Sequence, residues 1–145
     1  MIIDNFIPDI ASYLEGILSG DFIDVEVYGQ TFKGIQPRNN DEFSDLVLKL
    51  FPGLAVAYNF VRLSPQGQEE PNFIHDDASM ADLTAILYLS RDYPEEDGTT
   101  LYDQHLNPTL VVNAKLNRLF VFESNILQGF VGKEGVKGLK GIKNK

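Results

Sequence analysis

His75, Asp76 and Asp77 follow a Pro-Asn bend and lead into an apolar run, and His75 is one of two histidines in the chain. In extended backbone, residues i and i+2 share a face, so His75 and Asp77 project together while Asp76 points away. One imidazole and one carboxylate side by side are two adjacent corners of a metal octahedron. That is two of the three donors in the 2-His-1-carboxylate set that holds Fe(II) with positions left open. The same residues also make an ordinary solvated His–Asp turn, and spacing alone does not choose. The other histidine, His105, lies in a polar run after Tyr102, where a solvated loop residue is the simpler reading.

The rest of the composition narrows the chemistry. There are no cysteines, so disulfides, thiolate metal sites and cysteine nucleophiles are excluded. Any metal must be held by imidazole, carboxylate, amide oxygen or water, a set suited to Fe(II), Mn(II) or Zn(II). A net charge of -9 repels phosphate backbones, so no nucleic-acid partner is expected. No run approaches the ~20 apolar residues of a membrane helix, so no membrane partner is expected either. The opening "MIIDNFIPDI" lacks the basic start and long apolar stretch of a secretory signal, which makes the cytoplasm the expected location.

The elements that must position such a site follow from periodicity. A chain of 145 residues is expected to form one domain over 1–145. Residues 8–20 read as an amphipathic helix with Pro8 in its first turn, Gly20 as its stop, and an apolar stripe of Ile10, Tyr13, Leu14, Ile17 and Leu18. "FIDVEVYG" alternates as a half-buried strand does. Residues 40–52 read as a second helix with an Asn or Asp cap, the stripe Phe43, Leu46, Val47, Leu50 and Phe51, and Pro52 as its stop. Five or six short β-branched and aromatic runs follow, separated by turn clusters, which predicts an antiparallel sandwich or barrel behind a helical layer. From Lys133 onward the chain carries five lysines and one glutamate among glycines, with no strand alternation. That reads as a flexible tail over about 130–145.

The segment "FVRLSPQGQEEPNFIHDDASMADLTAILYLSRDYPEEDGTTLY" resembles the core of the 2-oxoglutarate- and Fe(II)-dependent dioxygenases, in the branch similar to prolyl 4-hydroxylase. The matching pieces are Arg62-Leu63, Gly67, His75-Asp76-Asp77, Tyr88-Leu89-Ser90 and Asp97-Gly98-Thr99-Thr100-Leu101-Tyr102, in the family's order. "NRLFVFESNILQG" resembles the family's later strand, and "IIDNFIPD" the start of many members. The resemblance runs to about Gly129. It implies a mainly β chain with N-terminal helices, folded as a double-stranded β-helix of the jelly-roll kind. It also implies Fe(II) as cofactor, 2-oxoglutarate as cosubstrate, and hydroxylase-type chemistry on a small-molecule or peptide substrate. His75 and Asp77 would be metal ligands, with Tyr88, Arg62 and Thr99 lining the cosubstrate's cavity.

The pattern breaks where the second half of the site should be. The distal histidine belongs four residues after Ser124, and Gln128 stands there. Gln128 is thus the third ligand's position, filled by a neutral amide. The family's last strand also carries an arginine or lysine for the far carboxylate of 2-oxoglutarate. No arginine follows Arg118, and only lysines follow Gln128. Three explanations stand: lost catalysis, a rearranged site in which Gln128 or His105 completes the metal set and a C-terminal lysine takes the acid, or an altered chain end. The contrasting reading is a non-catalytic double-stranded β-helix used for binding or assembly. A missing last strand would leave an open sheet edge, and a homodimer through that edge is the expected assembly.

Overall fold

The computed structural model describes residues 1–27, 29–38, 40–64, 81–90, 98–131 and 135–144. In chain order the described elements are β1 (Ile2–Ile3), α1 (Ile10–Leu18), β2 (Ile23–Val27), β3 (Gln30–Pro37), α2 (Glu42–Leu50), β4 (Leu54–Ser64) and β5 (Leu83–Tyr88). They continue with β6 (Gly98–Tyr102), β7 (Pro108–Asn113), β8 (Leu119–Glu123), β9 (Leu127–Val131) and β10 (Gly135–Asn144). No helix of the described residues is long and apolar enough to cross a membrane.

Both helices begin at aspartates whose side chains replace the backbone acceptors that a first turn lacks. Asp9 Oδ1 accepts from the Ser12 amide at 3.2 Å, and Asp41 Oδ1 accepts from the Ser44 amide at 3.0 Å. Pro8 therefore precedes the cap of α1 instead of occupying its first turn. The predicted stripes are buried in part: Ile10, Leu46 and Phe51 are partly buried, and Leu18 and Leu50, at the last turn of each helix, are exposed instead. Tyr13, Leu14 and Ile17 of α1 and Phe43 and Val47 of α2 all pack inward.

The strands form two sheets. Seven are ordered β1-β8-β5-β10-β4-β3-β2, and three are ordered β7-β6-β9. Alternation gives the larger sheet two faces. Ala85, Leu87 and Leu89 from β5 and its end, Leu119 and Val121 from β8, and Val61 from β4 pack with the helices. Ile86 and Tyr88, with Phe120 and Phe122, point the other way and pack with Leu101 and Val112 from the smaller sheet. This is the double-stranded β-helix, and its interior lies between the sheets.

One expectation is corrected. The last strand is present: β10 lies in the middle of the larger sheet, antiparallel to both β4 and β5. The residues expected to trail from about 130 instead lie in β9, up to Val131, and in β10. The sequence of β10 gives no strand signal because its place is set by two neighbours that present open backbone groups to it, not by apolar alternation of its own.

Candidate functional site

The region between the sheets is where the resemblance places chemistry. His75 and Asp77 lie outside the described residues, as do Gly67 and the acidic run 92–97. The remaining candidates can be placed.

Tyr88 ends β5 and is fully buried. Its hydroxyl lies 2.6 Å from the Thr99 hydroxyl on β6, which is buried too, so a hydrogen bond joins the two sheets at this point. Beside Thr99, Gly98 lets β6 and β7 come close: a Cβ at Gly98 would collide with the Val112 carbonyl. The backbone of Tyr88 is fixed from the side of β8. Its carbonyl accepts from the Asn117 amide at 2.7 Å, and its amide donates to the Arg118 carbonyl at 3.1 Å.

Asn117 has a role that its motif does not disclose. It is buried, with φ 64°, in the left-handed region that asparagine tolerates better than most residues. Its side chain accepts from the Ile7 amide and donates to the Ile7 carbonyl, both at 2.9 Å. One residue thus ties the N-terminal segment to the turn that holds Tyr88. The available signal was an asparagine directly before a strand, at a turn position.

Arg62 lies on β4, half-buried, on the alternation opposite to Val61 and Leu63 and hence on the inter-sheet side. In the ladders, Lys137 of β10 is the register partner of both Arg62 and Tyr88. Gln128 is on β9, in register with Leu101 of β6, whose side chain belongs to the inter-sheet core. His105 does not join this group. It is exposed in the β6–β7 turn, where its amide donates to Asp103 Oδ1 at 2.8 Å. Hydrogen bonds from the Asn107 and His105 amides hold the Asp103 carboxyl below its usual range.

The donor set can be judged on these observations. Among the described residues, no three His, Cys, Asp or Glu side chains come close enough to hold a metal. The third-ligand position carries an amide. The buried hydroxyls of Tyr88 and Thr99 meet between the sheets, and Lys137 stands in register between Arg62 and Tyr88. A complete three-ligand Fe(II) centre does not fit, because one imidazole is lacking.

The other marked polar cluster lies on the helix side and is fully paired. Asp41 accepts from Tyr13 at 2.6 Å, from Arg38 at 3.0 Å, from the Ser44 amide and hydroxyl at 3.0 Å each, and from Asn59 at 3.0 Å. Burial works to raise the Asp41 carboxyl, but the bonds from Tyr13, Ser44 and Arg38 outweigh it and hold the group below its ordinary value. Burial, followed by the Asp41 carboxylate, pushes the Tyr13 phenol up. This cluster joins α1, α2, β4 and the turn after β3.

No protein-family model and no curated protein sequence matches the chain. Solved structures do. A prolyl-4-hydroxylase from Pseudomonas putida superposes with a TM-score of 0.71 at 19% identity, covering 100% of this chain and 92% of that one. A 2OG-Fe(II) oxygenase family oxidoreductase from Burkholderia pseudomallei gives 0.68 at 9% identity, covering 99% and 84%. The viral collagen prolyl hydroxylase of Paramecium Bursaria Chlorella virus-1 gives 0.65 at 13% identity, covering 100% and 89%. The fold is therefore that of the 2-oxoglutarate- and Fe(II)-dependent oxygenases, prolyl hydroxylases included.

Proposed function

We propose that this chain is an oxygenase-type protein that binds a divalent metal and a 2-oxo dicarboxylate between the sheets, with slow or absent turnover. The observation that carries this reading is the register row Arg62–Lys137–Tyr88, with Tyr88 hydrogen-bonded to Thr99. A lysine within the last strand, beside a buried tyrosine–threonine pair, supplies what the far carboxylate of 2-oxoglutarate needs: a cation and two hydroxyls in low-dielectric surroundings. Lys137 is the proposed counter-charge. His75 and Asp77 are the proposed metal ligands, with Gln128 in the third position.

In working members of the superfamily, Fe(II) with 2-oxoglutarate supplies the oxidative chemistry. Here the neutral Gln128 amide is a weaker donor than imidazole, so metal affinity is low. The substrate class is a small molecule or a peptide. Gln128 also favours a second reading, a binding module without catalysis, because it replaces the one ligand that the described strands would provide.

Calorimetry with Mn(II), followed by 2-oxoglutarate under nitrogen, tests the proposal. Expected are weak Mn(II) binding that disappears in His75→Ala, and 2-oxoglutarate binding that needs the metal and weakens in Lys137→Ala. Absence of Mn(II) binding in both the unmodified chain and Gln128→His would leave the binding-module reading.

A further inference from the structure

Four described strands end a sheet; β9, opposite β7 in the smaller sheet, is uncharged as well but leads directly into residues outside the described ones, and the other three differ in how they meet solvent. β1 is two residues long, too short to recruit a partner. β2, "IDVEV", carries exposed Asp24 and Glu26, the kind of charges that blunt an edge. β7, "PTLVVN", ends the smaller sheet and carries no charge at all. Its protective features are confined to one end: Pro108 as first residue, and a register shift opposite it between Leu101 and Tyr102. Beyond that point Leu110 is 43% exposed and Val111 is 62% exposed, on opposite faces of the strand. Leu106, at the preceding turn, is 57% exposed.

We infer that β7 is a self-association edge, and that its occupant is β7 of a second copy of this chain, paired antiparallel about a two-fold axis. Charge selects this occupant. Two chains of -9 repel wherever their carboxylates meet, and the six residues of β7 bring none together. Antiparallel pairing also sets the Asp103 end of each copy toward the Lys115 end of the other, and Lys115 is well exposed. Each dimer contact is isologous, and it closes: the two three-stranded sheets become one six-stranded sheet with no further open β7 edge. The area is small. One strand edge with a turn lies below the ~1,200 Å² of a standard interface, so the dimer is weak, with a Kd between about 10 µM and 1 mM.

Sedimentation of the full chain over a wide concentration range tests this, with amide exchange of residues 109–113 measured alongside. The expected result is a monomer–dimer equilibrium in that range, with slower exchange in 109–113 as concentration rises. Val111→Lys should remove dimerisation and leave the melting temperature unchanged. Leu18→Lys, at a residue equally exposed on α1 (61%), should leave dimerisation intact. A chain that stays monomeric throughout would overturn the inference, as would loss of dimerisation in Leu18→Lys but not in Val111→Lys. Full protection of 109–113 in dilute monomer would mean that another part of the same chain covers the edge, and would overturn it too.

Discussion

The two faces of the seven-stranded sheet are built from the same strands yet do different work. On the helix side, aliphatic residues of β5 and β8 meet Ile17, Phe43 and Val47, and the polar groups present are tied to one another around Asp41. Among the described residues, the Asp41 cluster on that face is closed on itself. On the inter-sheet side, alternate residues of the same strands present Tyr88, Thr84 and Arg62 beside Phe120 and Phe122. Among the described residues, the polar groups there stand next to an aromatic wall, with the rings of Phe120 and Phe122 4.9 Å apart. The difference teaches that stability and binding can be assigned to odd and even residues of one strand. Substitutions one residue apart should then have unlike effects.

The largest expected effect tests the helix side. Leu87 is fully buried against the helices, and Leu87→Ala should cost about 2–5 kcal/mol, read by urea unfolding. Mn(II) affinity of the folded protein should not change. If it fell, the two faces would be coupled through β5. Asn117→Ala comes next and should trouble both faces, since it removes two buried hydrogen bonds to Ile7 and leaves alanine at φ 64°. A loss of about 2–3 kcal/mol is expected, accompanied by weaker 2-oxoglutarate binding as Tyr88 loses its anchor. Gln128→His should act on the inter-sheet side alone. It should tighten Mn(II) binding by about 10–100-fold in calorimetry, with the unfolding midpoint of the metal-free chain unchanged.

Asp41→Asn gives a smaller effect with a defined pH dependence. The folded carboxyl titrates below its ordinary value, so its contribution is complete at neutral pH and is lost as pH falls through the acid range. Thermal melts should show Asp41→Asn less stable by about 1–2 kcal/mol at pH 7. The gap should close below about pH 4. A constant gap would show that the charge itself contributes nothing. The smallest effect is dynamic. Amides of β10, a strand rich in glycine and lysine, should exchange faster than those of β5 beside it.

Legibility in the sequence followed the same division. Most of both helix stripes, the aspartate cap of α2, β2, β4 to β8 and the jelly-roll class are legible because their side chains alternate against a core, whereas the Asp9 cap of α1 is hidden behind Pro8. β3 gives no such signal, since Gly34 and Pro37 interrupt its pattern and its partners lie in β2 and β4. β10 looks like a tail in sequence because nothing in "GVKGLKGIKN" signals the backbone ladders on both of its sides. Tyr88 and Thr99 stand out in the sequence by motif, but their mutual hydrogen bond joins strands of two different sheets and is not legible from spacing. Asn117 was missed for a related reason, because its partner Ile7 is 110 residues away.

The place of β10 has a consequence for how the chain is made. During synthesis β4 and β5 emerge long before the strand that separates them. Until β10 arrives, they hold a gap whose unpaired backbone invites wrong partners, including each other. Pairings so distant in sequence raise contact order and slow the search for the native state. The helix-side core, built largely from residues made earlier, can condense first, and insertion of β10 then becomes the closing step. A nascent chain stalled before residue 135 should therefore be helix-covered but unfinished, and should depend on chaperones in a way that the released protein does not.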